Sequence, residues 1–393
     1  MHDASTVVVL RLAAVFVVFA AIAAMGQGSE PRARGLGIPF DGTPGPLNAI
    51  TDIAGVEVGF TTLISGSGKL VVGQGPVRTG VTAVLPRGKN SINDPVFAGW
   101  YSLNGNGEMT GTTWVEESGF LEGPVMITNT HSVGVVRDAV IQWRIRHGAA
   151  DLSGYWWSLP VVAETWDGQL NDINGFHVKP EDAFHALNSA SSGSVSEGNV
   201  GGGTGMVCHG FKGGTGTASR RLDAKAGGYT VGVLVQCNYG VQSELRIAGI
   251  PVGRELPPGI PHNDDTGSII VVVGTDAPLL PAQLKRLARR VPLGLGRMGS
   301  YSGDGSGDIF IAFSTANPRV WGAKGVKQVS MLSNDDMNPL FLATVQSVEE
   351  AVVNALIVAR TMKGINDFEV DAIPHAELQQ VLKKYNRLVE PVK

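Results

Sequence analysis

Ser268 is the side chain with the most chemical promise. It follows Gly267 at the end of a polar segment, Asp264-Asp265-Thr266, and runs straight into Ile269-Ile270-Val271-Val272-Val273. Five consecutive β-branched residues bounded by Gly-Ser and Gly274 predict a buried strand, so this serine stands where a loop enters it. If the chain were cut before Ser268, the serine would become an N-terminus whose own amine lies close to its own hydroxyl, nucleophile and base in one residue. Attack on the preceding carbonyl requires a bent peptide, and glycine at 267 tolerates the φ/ψ this demands. The same residues also fit a strand that simply begins at a Gly-Ser turn.

Other residue types exclude competing chemistries. His131, His209 and His262 have no metal-ligand spacing, and neither His-Glu-x-x-His nor Cys-x-x-Cys occurs, so a zinc mechanism is not expected and no metal or cofactor is called for. Gly201-Gly202-Gly203-Thr204-Gly205 and Gly214-Thr215-Gly216 match neither a Walker sequence nor a complete dinucleotide fingerprint. The tract Ser189 to Gly216 reads instead as a loop near the site or as close chain packing. A net charge of −4 and a pI near 6.1 offer no basic patch for nucleic acid. Cys208 and Cys237 could pair in an oxidising compartment, but nothing in the sequence brings them together.

The elements that must position these residues follow from pattern. Runs at Val56 to Thr62, Thr79 to Leu85, Val96 to Ser102, Val125 to Thr128, Pro160 to Thr165 and Tyr229 to Gln236 read as strands between glycine turns. Asp308 to Ser314 and Phe368 to Ala372 read likewise. A helix is expected after Thr130 or Ser132 as N-cap, with Gly148 as its stop, and others start at Pro180 and Pro281. Asn338 to Lys363 carries a dense apolar stripe at helical spacing, which is core rather than a ligand box, and Pro374 to Tyr385 closes the chain as a helix. With 43% hydrophobic and 17% charged residues, the chain has the content for a large core. Leu12 to Met25, behind Arg11, is an apolar run with small residues after it, and it predicts a secretory signal peptide over residues 1–28 and a periplasmic destination. Ser29 to Gly45, rich in Pro, Gly and Arg, reads as an arm or linker. Strands grouped with strands and helices with helices suggest helices outside a pair of stacked sheets.

Six stretches, in order, carry a resemblance. They are Gly45-Pro46-Leu47-Asn48-Ala49-Ile50-Thr51-Asp52, Thr128-Asn129-Thr130 with Ser132-Val133-Gly134, Pro160-Val161-Val162-Ala163-Glu164-Thr165-Trp166-Asp167-Gly168, and Gly227-Gly228-Tyr229-Thr230-Val231-Gly232 to Asn238. The last two are Gly267-Ser268 with Thr275-Asp276-Ala277-Pro278-Leu279, and Gly305-Ser306-Gly307-Asp308 to Asn317. The sequence resembles the DmpA-type family, the L-aminopeptidase/D-esterase enzymes and the related β-peptidyl aminopeptidases. The resemblance implies an α+β fold, a four-layer αββα sandwich of the N-terminal-nucleophile-hydrolase kind. It also implies self-cleavage between Gly267 and Ser268, giving an α-chain of residues 29–267 and a β-chain of residues 268–393 that form one domain.

The implied roles are specific. Ser268 is the nucleophile, with Ser306 and Asp308 completing its hydrogen-bond network. Some relatives carry Glu at the second position, and Asp308, one methylene shorter, has less reach; taken alone, Gly303-Asp304-Gly305-Ser306-Gly307 is also a turn. Asn238 corresponds to the oxyanion donor, a type of group whose loss costs on the order of 2.7–4 kcal/mol, and it also fits a turn before Tyr239-Gly240. Glu164 corresponds to the anchor of the substrate's free amine, and Trp166 stands where the L-aminopeptidase/D-esterase type has tyrosine, a departure that leans toward the β-aminopeptidase branch. Expected partners are a small peptide, amide or ester substrate and further copies of the αβ unit in a homo-oligomer, without a stable membrane span after the signal is removed. An acyltransferase of the ornithine-acetyltransferase kind, which uses threonine at the junction, and a binding protein that is never cut are the alternatives.

Overall fold

The computed structural model describes residues 31–89, 93–147, 157–260, 267–322 and 324–390. The expected signal peptide, the helix stop expected at Gly148 and the Asp264-Asp265-Thr266 approach to the expected cleavage site lie outside them. In chain order the elements begin with β1 (Glu57–Ser65), β2 (Val77–Leu85), β3 (Val96–Ser102), α1 (Thr112–Ser118), β4 (Phe120–Leu121), β5 (Val125–Asn129), α2 (Val133–His147) and β6 (Val161–Thr165). Then come α3 (Pro180–Ser189), the hairpin β7 (Val207–Cys208) and β8 (Phe211–Lys212), β9 (Gly214–Arg221), β10 (Thr230–Asn238) and β11 (Ser268–Thr275). The last are α4 (Pro281–Ala288), α5 (Val291–Arg297), β12 (Ile309–Ser314), α6 (Asn338–Val358), the two-residue pair β13 (Met362–Lys363) and β14 (Glu369–Val370), and α7 (His375–Lys384).

Two sheets stack face to face. One has the order β1-β2-β5-β6 and the other β4-β3-β12-β11-β10-β9. The five apolar residues after Ser268 do not alternate with polar ones because β11 is covered on both faces. Ile270 and Val272 pack between the sheets with Val84, Ile127 and Ala163. Ile269, Val271 and Val273 pack on the other side with Leu284, Leu295 and Val352 from α4, α5 and α6. Helices α2 and α3 cover the outer face of the four-stranded sheet through Val136, Val140, Ala183 and Leu187. The result is the four-layer αββα sandwich. Helix α6 comes so close to β9 that a Cβ on Gly216 would meet the Ala351 carbonyl at 2.0 Å, so a residue with no side chain is required there.

Several elements differ from expectation. The helix predicted to reach Lys363 ends at Val358, because Ala359 turns extended and the chain enters β13. The strand expected over Phe368 to Ala372 shrinks to Glu369–Val370, and α1 and α5 were not legible as helices. Thr130 and Ser132 form a single 3-10 turn with no side-chain cap, since the Thr130 hydroxyl is engaged by Glu164. The glycine-rich tract is partly ordered as a buried 3-10 turn, Gly201–Gly205, followed by β7, β8 and the start of β9.

The segment read as a linker is docked. Ala33, Leu36 and Ile38 are buried, Arg34 bonds both oxygens of Glu350 on α6 at 2.7 and 2.8 Å, and Arg220 joins the same carboxylate at 2.7 Å. Burial pushes the Glu350 carboxyl up, but these two guanidiniums and Asn48 outweigh it and hold the carboxyl below its usual value. Arg34, from the segment read as an arm or linker, is therefore a counter-charge of a buried glutamate, and Arg32 of the same segment pairs with Glu197 at 2.6 Å. Cys208 and Cys237 are joined in a disulfide, Cα to Cα 5.8 Å, because β7 folds back beside the end of β10. Their separation of 29 residues gave no sign of that proximity.

Candidate active site

Antiparallel pairing of β10 with β11 sets Asn238, the last residue of one strand, opposite Ser268, the first of the next. Both side chains lie on the parity of Leu234, Ile270 and Val272, the face turned toward the other sheet. They reach the edge of the gap between the sheets, where a cavity of about 260 Å³ opens, lined by Glu164, Trp166, Asn238, Gly267, Ser268 and Gly305. Ser268 is 6% exposed and lines that cavity from the head of a central strand.

The need for glycine at 267 is spatial. A Cβ there would stand 2.0 Å from the Asn238 carbonyl oxygen and 2.6 Å from the Tyr239 Cα, both fixed backbone. The Gly267 carbonyl accepts a hydrogen bond from the Gly307 N–H at 3.3 Å. The carbonyl that Ser268 would attack is thus already held by a donor aimed at its oxygen.

Gly307 belongs to the turn that brings in the next pair. β11 and β12 run parallel with Ile270 beside Ile309, which places Asp308 next to the start of β11. Asp308 and Ser306 are fully buried. The Ser306 hydroxyl donates to Asp308 Oδ1 at 2.7 Å, and the same oxygen accepts the Ile269 N–H at 3.3 Å. The shorter aspartate does reach Ser306, because both residues sit on one tight turn. Asn104, which the sequence did not single out, fixes that turn: its Oδ1 accepts the Asp308 N–H at 2.6 Å and its Nδ2 donates to the Gly303 carbonyl at 3.3 Å. The only sign of it in the sequence is the Asn-Gly-Asn-Gly tract after β3.

Asn238 is held from both sides. Val207 N–H can only donate and lies 2.8 Å from Oδ1, while the Trp166 carbonyl can only accept and lies 3.0 Å from Nδ2. The amide therefore cannot flip, and its second N–H remains on the NH₂ side, at the cavity. Trp166 contributes that carbonyl, while its half-exposed indole folds back over Gly168, where a Cβ would meet the ring at 2.6 Å.

Glu164, 4% exposed, is the penultimate residue of β6. Its Oε1 accepts the Glu108 N–H at 3.0 Å and its Oε2 accepts the Thr130 hydroxyl. Burial pushes the carboxyl above its ordinary range, and those two hydrogen bonds pull it partly back. No cation among the described residues is bonded to it, so it is a buried carboxylate facing a cavity.

Residues 48–370 match the model of peptidase family S58. The chain belongs to that family. It is 57% identical over 385 residues to the beta-peptidyl aminopeptidase BapA of Sphingosinicella microcystinivorans, covering 93% of this chain and 96% of that protein. Among solved structures, the L-aminopeptidase D-Ala-esterase/amidase of Ochrobactrum anthropi is similar with a TM-score of 0.86 and 49% identity, covering 92% of this chain and 100% of its own. That structure is described as a prototype of the serine aminopeptidases and a new variant of the Ntn hydrolase fold. A Burkholderia sp. beta-aminopeptidase has a TM-score of 0.82 and 48% identity, covering 90% of this chain and 98% of that one. The αββα sandwich of this S58 member is accordingly of the Ntn-hydrolase kind. Of the seven residues expected at the site, five converge on the cavity or its immediate support through side chains, Gly267 lines the cavity with its backbone, and Trp166, also at the cavity, bonds to Asn238 through its carbonyl.

Proposed function

We propose that this aminopeptidase matures by cutting itself before Ser268 and then uses the freed serine to release N-terminal residues, β-amino acids among them, from short peptides, amides or esters. In maturation, Ser268 Oγ bonds to the Gly267 carbonyl carbon, the Gly267–Ser268 C–N bond breaks, and the serine nitrogen takes up the proton. Water then hydrolyses the ester, leaving an α-chain that ends at Gly267 and a β-chain that begins at Ser268. In turnover, the free α-amine, whose usual pKa of about 7.7–8.0 is close to neutrality, accepts the Oγ proton. Oγ attacks the substrate carbonyl, the leaving amine departs with a proton, and water resolves the acyl-enzyme.

The other roles follow from position. Asn238 Nδ2 donates to the developing oxyanion, Ser306 and Asp308 orient the nucleophilic end of β11, and Glu164 takes the substrate's ammonium, the partner its burial lacks. Binding the amine at Glu164 inside the cavity makes the enzyme an exopeptidase, and Trp166 lines the same cavity. The observation that carries the reading is that Ser268, at the head of a central strand, shares one cavity with Glu164 and Asn238. The relatives named as beta-peptidyl aminopeptidases support the β-amino acid preference.

Export to the periplasm is part of the same proposal, supported by the apolar leader and by a disulfide, a bond that persists in oxidising compartments. Assembly into a homo-oligomer of αβ units is proposed as well, and sedimentation of the processed protein tests it. The activity is tested by hydrolysis of a β-aminoacyl p-nitroanilide beside its α-aminoacyl analogue, without any added acyl acceptor. Faster release from the β-substrate supports the proposal, and no release from either defeats it.

A further inference from the structure

Lys212 is fully buried on β8, yet no carboxylate among the described residues pairs with it. Its Nζ donates to two backbone carbonyls, Met206 and Gly213, each at 2.8 Å. Burial alone lowers its ammonium to about 7. An unpaired lysine inside a core is costly, and aliphatic residues would fill the same space at lower cost.

What the ammonium touches supplies the reason. The Met206 carbonyl accepts both Lys212 Nζ and the Gly213 N–H at 2.9 Å, so the peptide plane between residues 206 and 207 is fixed. In a trans peptide the C=O and the N–H point in opposite directions. The other end of that plane is the Val207 N–H, which donates to Asn238 Oδ1 at 2.8 Å. The Asn238 amide in turn presents Nδ2 to Trp166 and to the cavity. Four polar groups therefore form one line, from Lys212 through the Met206–Val207 peptide and the Asn238 amide to the cavity. Successive hydrogen bonds polarise one another, and charge at one end strengthens the donor at the other.

We infer that Lys212 is a positioning residue for the reaction: through the Met206–Val207 peptide it orients and polarises the Asn238 amide as an oxyanion donor. The inference rests on the role proposed for Asn238. Lys212 touches no substrate, and its effect is greatest where negative charge develops on the reacting oxygen, so it acts on kcat rather than on substrate affinity.

The test is a double-mutant cycle on the processed enzyme, with Lys212→Met, Asn238→Ala and the double variant assayed on a β-aminoacyl p-nitroanilide, rates being normalised to the chain that begins at Ser268. Lys212→Met is expected to lower kcat roughly tenfold or more, with KM within about twofold of wild type. In the Asn238→Ala background it is expected to cost nothing further, because the donor it serves is gone. Lys212→Gln keeps an N–H donor and is expected to recover part of the lost kcat; should the methionine variant not fold, the glutamine variant carries the same cycle. An equal loss in both backgrounds, or no loss in the first, overturns the inference. If Asn238→Ala alone retains wild-type kcat, the oxyanion assignment itself fails and the inference falls with it.

Discussion

Asn238 ends β10 directly opposite Ser268, which begins β11, so the proposed nucleophile and the proposed oxyanion donor are the two partners of one rung in an antiparallel ladder. Their spacing is set by backbone hydrogen bonds and not by flexible side chains. That is the kind of preorganisation that lets a donor act without rearranging during the reaction.

Replacing Ser268 with alanine removes the only group proposed to open either bond. The purified variant is expected as a single chain, and the wild type as two, one with the N-terminal sequence Ser-Ile-Ile-Val. Intact mass and N-terminal sequencing read this directly, and turnover by the variant is expected to fall by at least about 10⁴-fold. A wild-type protein that stays intact would remove the maturation proposal.

Gly267→Ala tests the spatial reason for the glycine. The added Cβ meets the Asn238 carbonyl and the Tyr239 Cα, and overpacking of this kind typically costs about 1–3 kcal/mol. The strand end must shift, carrying the carbonyl away from Ser268 and the Gly307 N–H. Self-cleavage followed on a denaturing gel is expected to slow about tenfold or more, and an unchanged rate would mean that the clash is relieved elsewhere.

Glu164 links pH to both activity and stability. Its carboxyl is raised above its ordinary value, first by burial. Amine binding needs the ionised form, so the acid limb of kcat/KM is expected above the ordinary glutamate range. For stability the sign follows from a folded pKa above the unfolded one. The contribution is fully present below the ordinary glutamate value and is lost as pH rises through the raised value. Glu164→Gln is therefore expected to gain thermal stability relative to wild type at pH 8 compared with pH 4, while kcat/KM for amine-bearing substrates drops about a hundredfold and self-cleavage persists. Melting curves at the two pH values, beside rates on the amide substrate, check both halves.

The disulfide ties β7 to the end of β10, with Val207 and Asn238 as the residues flanking it. Closing a loop of this length contributes about 3.6 kcal/mol in the chain-entropy account. Cys208→Ser with Cys237→Ser is expected to lower the denaturation midpoint accordingly, and to lower kcat as well because the Val207 to Asn238 bond loses its tether. A drop in stability with kcat unchanged would confine the disulfide to a structural role.

The sequence by itself determined the identity of the central strand, the place of Ser268 at its head and the family. A run of β-branched residues with no polar alternation has few foldings other than a strand covered on both sides, and the family's motifs recur in order along the chain. Most strand and helix positions were legible for the same local reason, as at Val96–Ser102 and Pro180–Ser189. Tertiary structure alone decided what those residues meet. Asn104, Thr130 and Gly307 support the site across 204, 34 and 40 residues of chain respectively. The pairing of Cys208 with Cys237, the docking of Arg34 on Glu350 and the line from Lys212 to Asn238 likewise depend on strand register and on which segments fold back. Local pattern reports how a segment buries its own apolar face, whereas the partner of a buried polar group is fixed by the packing of elements far apart in sequence. The place of Ser268 at the head of a buried strand was written locally, and the groups that hold its surroundings were not.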